Sequence, residues 1–203
     1  MNYSAPERNA PGFQIKEIEN SKTQEHVIYG MGCFYELTKW IIVLIIAITL
    51  LHFFVATIFI VDGASMEPNY HSGQVVLANR FQYIFQTPKR GDVVILRFPG
   101  DAEHKKYIKR IVGVPGDHIK IANGKVYIND RVLNEAYIPS SVYTYAEYYP
   151  DVVLKPGDYY LIGDNRLNSN DSRIWGVANR RFLIGRAWFI FWPNMEVVRE
   201  LTY

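Results

Sequence analysis

The sequence predicts a mainly β protein that follows a single apolar segment. Short runs rich in β-branched and aromatic residues recur from residue 74 onward, with turn residues between them. Asn123-Gly124 lies between two alternating segments, a pattern typical of a two-residue hairpin turn. Pro115-Gly116-Asp117 and Pro156-Gly157-Asp158 each introduce a further β-rich run. With 203 residues, 49% of them hydrophobic, the chain can bury the core of one modest domain.

The first part of the chain contains a polar stretch and then the apolar segment. Residues 1–39 lack clear periodicity and are interpreted as a flexible tail. Ile41 to Val61 contain no Asp, Glu, Lys or Arg. As a helix these residues would span about 31 Å, enough to cross a bilayer. We therefore expect one transmembrane helix over 40–61. It should remain as an anchor, because more than thirty residues precede it, too many for a cleavable secretory signal.

The charges beside the apolar segment predict its orientation. Lys22 and Lys39 lie in the twenty residues before it, whereas the twenty after it carry Arg80 alone. Positive residues favour the cytoplasmic side. The tail is therefore expected in the cytoplasm, the segment in the plasma (inner) membrane as a single pass, and an all-β domain over 62–203 outside the cytoplasm.

Five β-rich runs predict the strands of this domain: QVVLAN (74–79), DVVILRF (92–98), YIKRIVG (107–113), DYYLIG (158–163) and GRAWFIFW (185–192). In the last run both faces are apolar, which favours a central strand, with contact to lipid headgroups as the alternative. The tyrosine-rich segment 136–158 shows no strand pattern and is expected to be an excursion whose tyrosines pack against the domain.

Composition argues against several classes of function. The net charge of +2 is spread without a basic block, so no nucleic-acid partner is expected. Cys33 is the single cysteine, which excludes an intrachain disulfide. Five histidines lack metal-ligand spacing, so neither a metal nor another cofactor is expected; they are His26, His52, His71, His104 and His118. Arg90-Gly91-Asp92 precedes a strand and is interpreted as a turn.

Ser65 is the candidate nucleophile. It lies in Gly63-Ala64-Ser65-Met66-Glu67-Pro68, just past the apolar segment. A serine that attacks a peptide carbonyl needs a rigid backbone, a nearby base and amide donors for the oxyanion. Taken alone, the same residues would also suit an ordinary turn.

Lys109 is the candidate base, in a strand where Tyr107, Lys109 and Ile111 share one face. Apolar surroundings would lower the lysine pKa and leave a neutral amine that can accept the serine proton. Arg110 makes the other face equally cationic, so strand parity does not exclude a lysine that points to solvent. A polar loop over 163–173 is the third candidate stretch: Ser169 could orient the amine, and Asp171 could pair with Arg173.

Together these stretches resemble the bacterial type I signal peptidases, or leader peptidases, over about residues 59 to 192. The resemblance rests on four stretches in order: Ser65-Met66-Glu67-Pro68, then Arg90 to Val94, then Tyr107 to Asp117, then Gly163 to Arg173. It implies an antiparallel β catalytic domain that removes signal peptides from secretory preproteins, with a serine–lysine dyad in place of the usual triad.

The resemblance also implies roles for single residues. Ser65 would be the nucleophile and Lys109 the base, with Ser169 hydrogen-bonded to Lys109. Structural ion pairs would join Asp171 to Arg173 and Asp164 to Arg110. The Ser65 amide would be one oxyanion donor; the second is unassigned, because Gly63 stands where some members carry a hydroxyl residue. Substrates would carry small residues one and three places before the cut, bound by Phe59, Val61, Met66, Tyr70, Val76, Ile95 and Ile108.

Two other functions are compatible with parts of this pattern. Self-cleaving repressors resemble the same fold and dyad, but they carry a DNA-binding or partner domain where this chain has its apolar segment. A membrane-anchored β domain that binds peptides without cutting them would not need both Ser65 and Lys109.

Overall fold

The computed structural model describes residues 32, 34–50, 56–98 and 105–198. The chain divides into two units, Met1–Leu50 and Leu51–Tyr203. In the first unit, residues 34–50 form helix α1, whose large apolar side chains are exposed. Among the helices that the structure describes, none is both long and apolar enough to cross a membrane.

The second unit is built almost entirely from antiparallel strands. In chain order its elements are β1 (Ala56–Ile60), β2 (Val75–Asn79), α2 (Gln82–Phe85), β3 (Val93–Arg97), β4 (Lys106–Gly113), β5 (His118–Ala122), β6 (Lys125–Ile128), β7 (Arg131–Val132), β8 (Asp151–Val153), β9 (Asp158–Ile162), α3 (Ser172–Trp175), β10 (Ala178–Asn179), a 3₁₀ turn (Arg180–Phe182), β11 (Leu183–Trp192) and β12 (Glu196–Val197). The five predicted strands correspond to β2, β3, β4, β9 and β11, which confirms the mainly β class.

The strands form two sheets. The larger has the order β1-β2-β11-β3-β4-β9-β10, with β12 added to β11, and the smaller has the order β7-β6-β5-β8. The predicted hairpin joins β5 to β6, with Ala122 opposite Lys125. Asn123 and Gly124 have φ values of 51° and 74°, as a primed two-residue turn requires.

The predicted end of the apolar helix is wrong. Ala56–Ile60 form β1, which pairs with β2 from Ala56 opposite Asn79 to Ile60 opposite Val75. These five residues include Thr57, Ile58 and Ile60, whose branched side chains suit a strand when a partner strand is present. Counting apolar residues does not separate a helix from an apolar strand that follows it. The β domain therefore begins before residue 62, and residues 51–55 lie outside the described residues.

Strand β11 is central, as predicted. Three of its aromatic side chains, however, are exposed, where burial was expected. Trp188, Phe191 and Trp192 are 51%, 56% and 62% exposed. The register with β2 shifts between Ala187 and Phe189 and again between Ile190 and Trp192. Each shift adds one residue to β11 without a partner on β2, so Trp188 and Phe191 fall outside the regular alternation of faces while Ala187 and Ile190 face the core.

The tyrosine-rich segment also departs from expectation. It includes β8, which pairs with β5 in the smaller sheet. Four of its tyrosines are exposed, although the rings of Tyr143 and Tyr149 lie against Gly124 and Gly176; the four are Tyr143, Tyr145, Tyr148 and Tyr149.

Candidate active site

A tight turn after β1 holds Ser65. Backbone hydrogen bonds from Glu67 to Ala64 and from Tyr70 to Met66 close this turn. The Met66 and Tyr70 side chains are buried in the core of the larger sheet, which fixes the turn against β2 and β3. Ser65 itself is half-buried, so its hydroxyl lies on a rigid backbone at the edge of the core.

Lys109 lies on β4 with 1% of its surface exposed. Its Nζ donates to Ser65 Oγ at 2.7 Å and to the Ile108 carbonyl at 3.0 Å. Neither contact is with a carboxylate. The fold therefore joins two residues 44 positions apart into a hydroxyl–amine pair whose amine is buried.

Burial lowers the pKa of Lys109 from 10.5 to about 8. Loss of hydration destabilises the ammonium form and is the largest cause. The negative charges of Asp171 and Asp164 act in the opposite direction, and the positive charge of Arg173 lowers the pKa further. A fraction of Lys109 is thus an uncharged amine near neutral pH, as a proton acceptor must be.

The 163–173 loop holds the backbone of the nucleophile. The Asn165 amide N–H donates to the Ser65 carbonyl at 3.1 Å, and Asn165 Nδ2 donates to the Ala64 carbonyl at 3.0 Å. A methyl group on Gly163 would overlap the Ser65 carbonyl oxygen, so the close approach of the loop requires glycine at this position.

Two buried ion pairs flank Lys109. Arg110 Nε and Nη2 donate to Asp164 at 2.8 and 2.6 Å. Arg173 donates to both Asp171 oxygens at 2.8 Å. Asp171 also accepts from the Gly163 amide at 2.9 Å and caps helix α3. Burial opposes the charge of Arg110, but the hydrogen bonds and charge of Asp164 raise its pKa above the ordinary value.

Ser169 does not make the hydrogen bond predicted for it. Its Oγ is buried without a hydrogen-bond partner among the described residues. The hydroxyl packs against the Cα of Gly163, where an added methyl group would overlap it. Lys109 Nζ instead bonds to Ser65 and to the Ile108 carbonyl.

The seven predicted substrate-binding residues lie together. Six are buried members of one apolar cluster, and Phe59 packs against it half-buried; the six are Val61, Met66, Tyr70, Val76, Ile95 and Ile108. Their exposed fractions do not exceed 3%. Met66 belongs both to this cluster and to the turn that holds Ser65. The cluster therefore lies directly against that turn.

Sequence reasoning missed two functional contacts. It assigned no role to Asn165, although the Asx side chains of a polar loop are common backbone ligands. It also missed Glu135, which binds the buried guanidinium of Arg166. No local pattern marks this pair, since its residues are 31 positions apart.

A serine hydroxyl beside a buried amine is the arrangement of a serine hydrolase in which lysine replaces histidine. Comparison with known proteins gives the family: residues 34–192 match the family described as signal peptidase, peptidase S26. The chain therefore belongs to this peptidase family.

Curated relatives support the assignment. The chain is 38% identical over 168 residues to the probable signal peptidase I-2 of Synechocystis sp., an alignment that covers 80% of this chain and 75% of the relative. It is 33% identical to a signal peptidase I of Bacillus amyloliquefaciens, with 78% and 88% covered. It is 30% identical to signal peptidase I T of Bacillus subtilis, with 90% and 98% covered.

Proposed function

We propose that this peptidase removes signal peptides from secretory preproteins, with Ser65 as nucleophile and Lys109 as general base. The 2.7 Å contact between Ser65 Oγ and a buried, partly uncharged Lys109 Nζ carries the proposal. The reaction class agrees with relatives that are named signal peptidase I.

The contact defines the proton transfers. Neutral Lys109 takes the Ser65 proton while Oγ attacks the carbonyl carbon at the cleavage point. The ammonium then protonates the leaving amine, and the freed amine activates water to hydrolyse the acyl-enzyme. The Ser65 amide donates to the oxyanion. Gly63 has no side-chain hydroxyl to serve as a second donor, and its amide donates to Ser72 Oγ at 3.3 Å.

The apolar cluster supports the proposed substrate class. Its members beside Ser65 offer no charge and no hydrogen-bonding group except the Tyr70 hydroxyl, so they would accept apolar side chains one and three places before the cut. Steric rejection of large residues would set this selectivity, because a single methylene changes binding by only about 1 to 3 kcal/mol.

A lipid bilayer is the second proposed partner. Ile58, Ile60, Leu77, Phe189 and Trp192 share the outer face of strands β1, β2 and β11 by their pairing register. Ile58, Ile60 and Trp192 are at least 60% exposed, and tryptophan favours the membrane interface.

This face and the apolar sequence that begins at Ile41 support attachment to the plasma membrane. The positive residues before that sequence, Lys22 and Lys39, support a β domain outside the cytoplasm. Membrane fractionation and protease accessibility in spheroplasts test the attachment and the orientation. A protein found in the cytosol would contradict both.

The decisive experiment offers a preprotein to the purified full chain in detergent and sequences the new N-terminus. Ser65→Ala and Lys109→Ala should each abolish cleavage while the protein stays folded, because each removes a reacting group. Ser140→Ala and Lys120→Ala alter an exposed serine and an exposed strand lysine and serve as matched controls. Retained cleavage in either dyad variant would falsify the mechanism.

A further inference from the structure

The strap, defined here as residues 135–145, is clamped to the 163–173 loop by a buried ion pair. The Arg166 side chain is fully buried and donates to both carboxylate oxygens of Glu135, whose side chain is 12% exposed. Arg166 also donates to the hydroxyl of Thr144, itself 1% exposed. One guanidinium therefore binds both ends of the strap.

Tyr137 extends this contact to the ion pair beside Lys109. Its ring centre lies 4.2 Å from the guanidinium carbon of Arg110. Its hydroxyl donates to Glu135 at 2.7 Å. Its carbonyl accepts from Asn69 Nδ2 at 2.7 Å, and Asn69 donates to Asp164 as well. The strap thus covers the Arg110–Asp164 pair and reaches the turn that holds Ser65.

The same loop supplies most of the charges that face Lys109. Asp164, Asp171 and Arg173 lie on it; the other groups that face the amine are the Ser65 hydroxyl and the Tyr107 ring, whose centre is 5.5 Å away. Arg173 also donates to the Tyr145 carbonyl of the strap at 3.3 Å. The loop that surrounds Lys109 is therefore held by the strap through Arg166 and Arg173.

We propose that Glu135 and Tyr137 are positioning residues for the Ser65–Lys109 pair: they hold the 163–173 loop against Lys109 and keep water away from its amine. The inference rests on the proposed serine–lysine mechanism. It gives part of the tyrosine-rich segment a role in the reaction although no strap residue contacts Ser65 or Lys109 among the described hydrogen bonds.

The pH profile separates this role from a structural one. Burial is the largest cause of the low Lys109 pKa, so a loosened strap that admits water should raise the pKa from about 8 toward 10.5. Water would also weaken the attraction of Asp164 and Asp171, which raises the Lys109 pKa. This effect is smaller than that of burial, so the net change in pKa is still upward. The acid limb of kcat/KM should therefore move to higher pH.

The test measures kcat/KM against pH for preprotein cleavage by the full chain in detergent. Glu135→Gln removes the charge but keeps the size, and Tyr137→Leu removes the ring over Arg110. Each should move the midpoint of the acid limb upward by about one unit, and thus lower activity at pH 7 about tenfold with recovery at high pH. Glu147→Gln makes the same chemical change at an exposed position two residues past the strap and should leave the profile unchanged.

A uniform loss at every pH with an unmoved midpoint, in variants that circular dichroism shows to be folded, would overturn the proposal. If either variant does not fold, Tyr137→Phe decides: it keeps the ring and loses only the hydroxyl, and its midpoint must still move upward. Failure of the serine–lysine mechanism itself would be seen in other measurements. The kcat/KM profile of the wild-type protein would then lack an acid limb, and Ser65→Ala would still cleave the preprotein.

Discussion

The Lys109 amine and the guanidinium groups around it are all buried, yet they are stabilised in opposite ways. Arg110, Arg166 and Arg173 each bind a carboxylate within the fold. Among the described hydrogen bonds, Lys109 donates to a hydroxyl and a carbonyl and to no carboxylate. Burial without a bound carboxylate lowers the lysine pKa, whereas the carboxylates of Asp164 and Glu135 raise the pKa of Arg110 and Arg166.

This difference distinguishes a residue suited to proton transfer from residues suited to a structural role. A buried arginine bound to a carboxylate keeps its proton and holds two segments together. A buried lysine without such a partner gives up its proton easily, which a general base requires. The arginine pairs in turn hold the 163–173 loop, which we propose excludes water from the Lys109 amine.

The largest expected effect comes from making Lys109 resemble its neighbours. Lys109→Arg keeps a cation beside Ser65, but a guanidinium does not lose its proton at accessible pH. Cleavage should fall by about 10²- to 10⁴-fold at all pH values, since the proposed general base is gone. Preprotein cleavage from pH 6 to 10 measures this. Recovery of activity at high pH would show that residue 109 does not act as the base.

Breaking an arginine pair should instead reduce stability. Asp164→Asn leaves the buried charge of Arg110 without its counter-charge, and the free energy of unfolding should fall by about 3 to 5 kcal/mol. Urea denaturation measures the loss. The control is Asp151→Asn, because Asp151 is 57% exposed in its pair with His118 and should change stability by less than about 1 kcal/mol. Equal effects at the two sites would contradict the structural role of the Arg110–Asp164 pair.

Moving the loop without changing any charge tests the geometry alone. Gly163→Ala places a methyl group against the Ser65 carbonyl and Ser169 Oγ, so the loop or the nucleophile must shift. A displacement near 1 Å can lower the rate about 10²-fold. Gly116→Ala is the control: this glycine lies on a remote turn with open space around it, so the substitution there costs only the backbone strain of its positive φ, 92°. Wild-type turnover in folded Gly163→Ala would show that this contact does not position Ser65.

Local patterns in the sequence predict most strands of this fold because each strand and turn is encoded by a few adjacent residues. The β5–β6 hairpin follows from Asn123-Gly124 and the alternation beside it. The proximity of Ser65 and Lys109 was expected from a family resemblance, since strand parity alone left Lys109 free to face solvent.

The features that sequence reasoning missed depend on partners distant in the chain. Trp188 is exposed because β11 bulges against β2, and the bulge is a property of the pairing rather than of either strand. The Glu135–Arg166 pair forms where two loops meet. The missing bond between Ser169 and Lys109 reflects the packing of Ser169 against Gly163, which no spacing in the sequence indicates.

The smallest expected effect is a gain in stability when the unusual lysine is removed. The folded pKa of Lys109, about 8, lies below its ordinary value of 10.5, so between these pH values the unfolded chain binds more protons than the folded one. Stability of the wild-type protein must rise with pH across that window, and burial of the ammonium costs most below pH 8. Lys109→Met, whose unbranched side chain is one atom shorter and uncharged, should stabilise the fold at pH 7 by about 1 to 3 kcal/mol. Urea denaturation at pH 7 and pH 10 should show this gain shrinking as pH rises. A gain in stability that does not change with pH would mean that the buried ammonium charge of Lys109 does not destabilise the fold. The difference between Lys109 and the arginine pairs would then come from packing and not from charge.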